Sequence, residues 1–157
     1  MCGIIGYVGE KEAYQILFDG LKRLEYRGYD SYGFATINKN QIWIRKSKGK
    51  ISEAGFEKLP GNIGIAHTRW ATHGKVSKTN AHPHVDCEKK IAIIHNGIVE
   101  NFDEIRKFLI KKGHILKSET DSEIISHLIE DNIDIGLKEV VRRTMKLIKG
   151  RSAIVVL

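Results

Sequence analysis

Gly33-Phe34-Ala35-Thr36-Ile37-Asn38-Lys39-Asn40-Gln41-Ile42-Trp43-Ile44-Arg45-Lys46 holds two runs of strand-favouring residues on either side of a polar turn. Gly33–Ile37 and Gln41–Lys46 read as strands, and the asparagines at 38 and 40 tolerate the left-handed conformation that a tight hairpin demands. Strands joined this directly are antiparallel neighbours, unlike those of a sheet built from strand–helix–strand crossovers.

Working outward, Ile4–Val8 is a short apolar strand ending at Gly9. From Lys11 the apolar residues Ala13, Tyr14, Leu17, Leu21 and Leu24 recur at helical spacing until Gly28 ends the pattern. Beyond the hairpin, Ile51–Leu59 is predicted helical. Pro60-Gly61 then breaks the chain before Ile63, Ile65 and Ala66 lead into His67-Thr68 as a buried strand. Arg69–Lys90 is polar and without period, a long loop of the kind that usually carries function. Ile91–Ile94 is a strand, and Asn101 is placed to cap a helix through Lys112. Thr120 with Glu123 forms a capping-box pattern for a helix over Ser122–Glu130; a third helix spans Ile135–Ile148, and Ala153–Leu157 is a last strand. Strands linked mainly by short turns, with the helices grouped, predict an α+β layered sandwich rather than a doubly wound parallel sheet.

The 157 residues are one domain's worth of chain, long enough to bury a core without disulfides or metal. With 41% hydrophobic and 29% charged residues and only two prolines, disorder is excluded as the main reading. No apolar run reaches the roughly 18–20 residues of a membrane span, and no basic segment followed by a hydrophobic stretch opens the chain, so no membrane partner and a cytoplasmic setting are expected. Two cysteines, Cys2 and Cys87, form no disulfide framework. The 26 basic residues against 19 acidic ones leave a formal charge of +7. Lys39, Arg45, Lys46, Lys48 and Lys50 on the hairpin and Lys138, Arg142, Arg143, Lys146, Lys149 and Arg151 along the last helix read as solvated faces. No aromatic-interleaved basic stripe accompanies them, and no nucleic-acid partner is expected. A glycine-rich phosphate loop is absent, so no cofactor is expected. His82-Pro83-His84 with Cys87 hints at metal spacing, but a tetrahedral ligand set is not complete there and no metal is expected.

Chemistry is concentrated at residue 2. Once Met1 is removed, Cys2 carries a thiol and a free α-amine, whose ordinary pKa of about 7.7–8.0 lets it serve as general base to its own nucleophile. Polar residues gather at strand ends in four further segments, Glu25–Gly33, His67–Gly74, His95–Asn101 and Ser118–Glu123, where rigid elements hold loops in place.

Met1-Cys2-Gly3-Ile4, Tyr26-Arg27-Gly28-Tyr29-Asp30, Trp70-Ala71-Thr72-His73-Gly74, Asn80-Ala81-His82-Pro83-His84, His95-Asn96-Gly97 and Glu119-Thr120-Asp121 fall in one order over nearly the whole chain. In these segments the sequence resembles the class II glutamine amidotransferases, and within them the branch that makes amino sugars from fructose 6-phosphate. The resemblance implies a four-layer α/β/β/α sandwich of the N-terminal nucleophile hydrolase type, truncated at its C-terminus. It implies L-glutamine as substrate and Cys2 as the nucleophile releasing ammonia. Arg69, with Thr72 and His73, would hold the α-carboxylate of the substrate and Asp121 its α-ammonium, and Trp70 would line the pocket. The Asn96 side chain and the Gly97 N–H would stabilise the oxyanion, and Arg27 would organise the N-terminus. The family's glutaminase domain runs on past residue 157 and is followed by sugar isomerase domains. Residues 1–157 are therefore expected to be an incomplete glutaminase domain, with fructose 6-phosphate reached only through those missing domains of a homodimeric enzyme. A catalytically silent binding or regulatory module of the same fold is the alternative. Tyr32 stands where the family usually has alanine, which predicts altered packing beneath the Arg27 loop.

Overall fold

A computed structural model describes residues 2–55, 58–71 and 74–157. Strands β1 (Gly3–Val8), β2 (Ser31–Asn38), β3 (Gln41–Lys48) and β4 (Ile63–Arg69) form one antiparallel sheet in the order β1-β4-β2-β3. Strands β5 (His84–Val85), β6 (Ala92–Gly97) and β7 (Ser152–Val156) form a second, in the order β5-β6-β7. Helix α1 (Ala13–Leu24) covers the first sheet, while α2 (Phe102–Lys111), α3 (Glu123–Glu130) and α4 (Leu137–Leu147) cover the second.

Strand alternation builds these layers. Ile5, Tyr7, Phe34 and Ala66 turn toward α1, where they meet Tyr14, Leu17 and Leu21. Their strand neighbours Ile4, Ala35 and Ile65 turn the other way, onto Ala92, Ile94 and Val155 of the second sheet. From that sheet Ile93, Ile154 and Val156 face Leu109, Ile125 and Ile129 of the helices. A period of two residues thus gives each strand two buried faces, and the result is the α/β/β/α sandwich expected from the sequence.

The hairpin turns on Lys39 and Asn40, at φ 49° and 59°, a pair of left-handed residues that matches the twist of β2 and β3. Tyr32 is buried in the α1 core and meets Phe34 edge to face with ring centroids 6.1 Å apart.

Three local expectations are corrected. Among the described residues of Ile51–Leu59 no α-helix forms, and a 3-10 turn spans Ile51–Glu53, where Ser52 donates its N–H and hydroxyl to the Glu25 carboxylate at 2.7 and 3.0 Å. Asn101 stands at the N-cap of α2 without capping it; its amide bonds the Leu147 carbonyl and the Lys149 N–H instead. The Thr120–Glu123 pair is not a capping box, because the Glu123 carboxylate accepts from the N–H groups of Lys117 and Ser118 and from the Ser118 hydroxyl. Thr120 Oγ1 turns to His84 Nε2 at 2.9 Å.

Candidate active site

One end of the sandwich collects the chemistry. Gly3 pairs with Thr68 and Ser31 with Arg69, so β1 and β2 begin where β4 ends. The chain leaves β4 through Arg69-Trp70-Ala71, and this short loop is tied down from the segment before β2. Asp30 N–H donates to the Arg69 carbonyl at 3.2 Å, and its carboxylate accepts from the Ala71 N–H and from the Ser31 hydroxyl. Gly28 passes so close that a Cβ there would lie 2.6 Å from the Arg69 carbonyl carbon, which is why this contact needs glycine.

Cys2 sits against that loop. Its Sγ accepts from the Trp70 N–H at 3.3 Å, and its carbonyl accepts from Asn96 Nδ2 at 3.1 Å and Arg27 Nε at 3.4 Å. Cys2, Arg69, Trp70, Gly97 and Asp121 line one small cavity, shared with His82, His95, Thr120 and Ser122. Cys2, Trp70 and Gly97 also face a wider groove of about 630 Å³ that takes in Arg27, Asn96 and Ile98. Trp70 is half exposed and stands edge-on to Tyr29, centroids 5.1 Å apart. Arg69 is buried and donates to the carbonyls of Lys75 and Gly74 at 3.3 and 3.4 Å. Asp121, also buried, accepts from the Val99 N–H at 2.8 Å through Oδ2, and its Oδ1 receives the Ser122 hydroxyl at 3.4 Å. Gly97 has φ 145°, and a Cβ there would lie 2.1 Å from the Arg151 oxygen. The structure therefore brings together Cys2, Arg27, Arg69, Trp70, Asn96, Gly97 and Asp121; Thr72 and His73 lie outside the described residues.

Behind this surface lies a set of groups that had no assigned role. His67 on β4 faces Asn96 on β6 across the two sheets, with Nε2 2.9 Å from Asn96 Oδ1 and 3.2 Å from the His95 carbonyl. Both partners only accept, so Nε2 carries the proton and the Asn96 amide is turned with its nitrogen toward Cys2. His67 Nδ1 is buried without a partner, which suits a neutral ring. Burial pushes His67 down to about 4 against the hydrogen bonds to Asn96 and His95. Its ring stacks on His82, centroids 4.1 Å apart. Burial, then the neighbouring imidazoles, holds His82 well below the ordinary imidazole range; burial and Lys46 do so for His84 despite Glu123, and burial lowers His95 despite nearby Asp121. His95 bonds Ser122 Oγ at 2.8 Å and Ser152 Oγ at 3.1 Å. Asn80 and Glu119 exchange bonds of 2.9 Å in both directions, joining the loop after Arg69 to the segment that carries Asp121. The motif segments contain all of these residues except Ser152, but nothing in their spacing announces who pairs with whom.

Comparison with known proteins identifies the family. Residues 67–157 match the family described as the glutamine amidotransferase domain. The chain is 53% identical to the glutamine–fructose-6-phosphate aminotransferase (isomerizing) of Pyrococcus horikoshii and 52% identical to that of Methanococcus maripaludis. All of the chain is covered in both cases, but only 27% and 28% of those relatives, so it spans about a quarter of their length. Among solved structures it superposes on glutamine phosphoribosylpyrophosphate amidotransferase from B. subtilis with a TM-score of 0.84 and 27% identity, covering 98% of this chain and 34% of that one. With the family matched over more than half its residues, the chain belongs to the glutamine amidotransferase domain family.

Proposed function

We propose that this chain hydrolyses L-glutamine to glutamate and ammonia. The observation that carries the reading is the convergence of Cys2, Arg69, Gly97 and Asp121 on one cavity from four separate segments. With Met1 removed, the Cys2 α-amine takes the thiol proton and the sulfur attacks the side-chain amide carbon. The proton passes to the leaving nitrogen, ammonia departs, and a thioester remains. Water, deprotonated by the same amine, then opens the thioester to glutamate and restores the thiol. The Trp70 N–H donates to the sulfur and so fixes where it stands in the cavity. Asn96 spends one amide hydrogen on the Cys2 carbonyl; its other hydrogen and the Gly97 N–H are the donors proposed for the oxyanion.

Arg69 is assigned the α-carboxylate, helped by Thr72 and His73, and Asp121 the α-ammonium, with Trp70 lining the pocket. Each of these two charges sits in a buried residue, where a pairing charge is felt most strongly. Arg27 holds Cys2 in place through its carbonyl. In this reading residues 1–157 form the glutaminase domain of a cytoplasmic, homodimeric enzyme, and the ammonia is destined for amino-sugar synthesis from fructose 6-phosphate by isomerase domains beyond these residues. No helix among the described residues is long and apolar enough to cross a membrane.

Glutamate release by protein lacking Met1 tests the proposal. Processed protein should turn over glutamine, and Cys2→Ser should lose at least ~10³-fold in rate. Equal turnover by Met1-retaining protein would remove the amine base. No turnover by correctly processed, folded protein would leave the silent binding module as the better reading.

A further inference from the structure

Cys87, in the turn after β5, has no role in the site above. Its partners are not the nearby His82 and His84. His114, just past the end of α2, and His127 and Glu130, one turn apart on α3, supply three more donor atoms, and all four lie within 4.8 Å of one another. Cys87 Sγ is 3.7 Å from His114 Nδ1 and 3.5 Å from His127 Nδ1; Glu130 Oε2 is 3.0 and 3.1 Å from the same two nitrogens. Tetrahedral zinc bonds of about 2.3 Å to sulfur and about 2.0–2.1 Å to nitrogen and oxygen imply edges of about 3.6 Å for S···N and about 3.3 Å for N···O. These four edges already stand near those separations, and the remaining two lie within 4.8 Å.

The far side of each ring strengthens the case. His114 Nε2 faces Asp131 Oδ1 at 3.6 Å, and His127 Nε2 faces Glu123 Oε1 at 3.9 Å, buried and without a hydrogen bond. A carboxylate behind an imidazole favours a proton on the nitrogen it faces, which leaves the Nδ1 lone pairs aimed at the centre of the cluster. Without metal, protons on the two Nδ1 atoms would hydrogen-bond Glu130 Oε2. A dication can take the place of those protons, and Zn²⁺ with one thiolate, one carboxylate and two neutral imidazoles sums to zero charge. The Cys87 N–H also donates to Glu130 Oε2 at 3.3 Å, a contact that orients the carboxylate.

We propose that Cys87, His114, His127 and Glu130 form a structural zinc site. Thiolate and imidazole donors select zinc over magnesium or calcium, and four protein ligands leave no position open for catalysis. The metal fastens the β5–β6 turn and the end of α2 to α3, the helix that follows directly on Asp121.

The purified protein, stripped with chelator and titrated with Zn²⁺, tests this. One equivalent should bind per chain and raise the unfolding temperature. Co²⁺ should give the intense visible bands of tetrahedral coordination together with a thiolate charge-transfer band. Cys87 is exposed, so Cys87→Ser should fold; it should abolish the charge-transfer band and weaken Zn²⁺ by more than the roughly 10–100-fold typical of losing an outer-shell partner. His114→Ala should weaken Zn²⁺ likewise and alter the tetrahedral bands while the thiolate band persists, whereas Cys2→Ala should keep both metal signals. Absence of stoichiometric uptake, or uptake that survives Cys87→Ser and His114→Ala but is lost in Cys2→Ala, overturns the proposal.

Discussion

Two groups of histidines show how far surroundings decide what one residue type does. His67, His82, His84 and His95 are buried beside the candidate active site, among one another and near Lys46 and Arg69. His114 and His127 stand instead among Glu123, Glu130 and Asp131. In the first group burial dominates, reinforced at His67 and His84 by Arg69 and Lys46 and outweighing Asp121 at His95, and the rings stay neutral. For His127 burial also works against charge, yet Glu123 and Glu130 outweigh it and raise its pKa. The first group therefore behaves as a polar core whose worth lies in orientation, the second as a charged cluster. Counting histidines separates neither from the other; the partners do.

Charge insertion should break the comparison most sharply. His82→Lys places an ammonium in a fully buried ring stack and should cost about 3–5 kcal/mol, enough to leave little folded protein. In metal-free protein His114→Lys sets the same charge beside Glu130 and Asp131 and should cost about 1 kcal/mol or less. Urea midpoints of the two variants check this, and equal losses would erase the distinction.

Acid should act on the neutral group next. Above pH 6.5 His67 is uncharged folded or unfolded, and its contribution is fully present. Below 6.5 the unfolded imidazole takes a proton that the folded ring refuses until about 4. Stability should thus fall by about 3 kcal/mol from His67 alone between those values, with His82 and His84 adding in the same direction. Glu123 enters later. Burial works against its charge, but His127 and the donors at Lys117 and Ser118 hold it at about 2, so its loss begins only below 4.5. Stability measured by urea unfolding at closely spaced pH values should already decline between 6.5 and 5. A flat profile there would mean that these histidines are not held neutral.

The smallest effect concerns orientation. His67→Leu removes the donor that turns the Asn96 amide, so kcat for glutamine hydrolysis should fall roughly tenfold while KM moves little. His67→Gln, which can still present an N–H, should recover part of the loss. Equal kcat in all three proteins would separate His67 from the reaction.

The hairpin and most strands are legible as apolar runs between turn residues and the four layers through the family resemblance, whereas the layer each side chain faces, Ile4 against Ile5 or Phe34 against Ala35, is set by how the two sheets stack. The misread pieces have a common physical cause. Ser52, Asn101, Thr120 and Glu123 were read for local helix roles, but each spends its hydrogen bonds on a partner from elsewhere in the chain or on a neighbouring loop. The candidate nucleophile and its motif neighbours could be named from order along the sequence. The His67–Asn96 contact could not, because it joins strands of two different sheets. The cysteine cluster was missed similarly: Cys87 was weighed against the histidines closest to it in sequence, whereas the fold supplies residues 27, 40 and 43 positions away.

The pairing of Ser31 with Arg69 and of Asn38 with Gln41 puts opposite ends of β2 at opposite ends of the molecule. Eight residues of strand separate them, roughly 24 Å at the usual rise. The Lys39-Asn40 turn is exposed and already accommodates left-handed backbone. It is therefore a natural attachment point: a fluorescent reporter or a surface tether grafted between these two residues would hold the molecule by its inert end and leave Cys2 facing the solution.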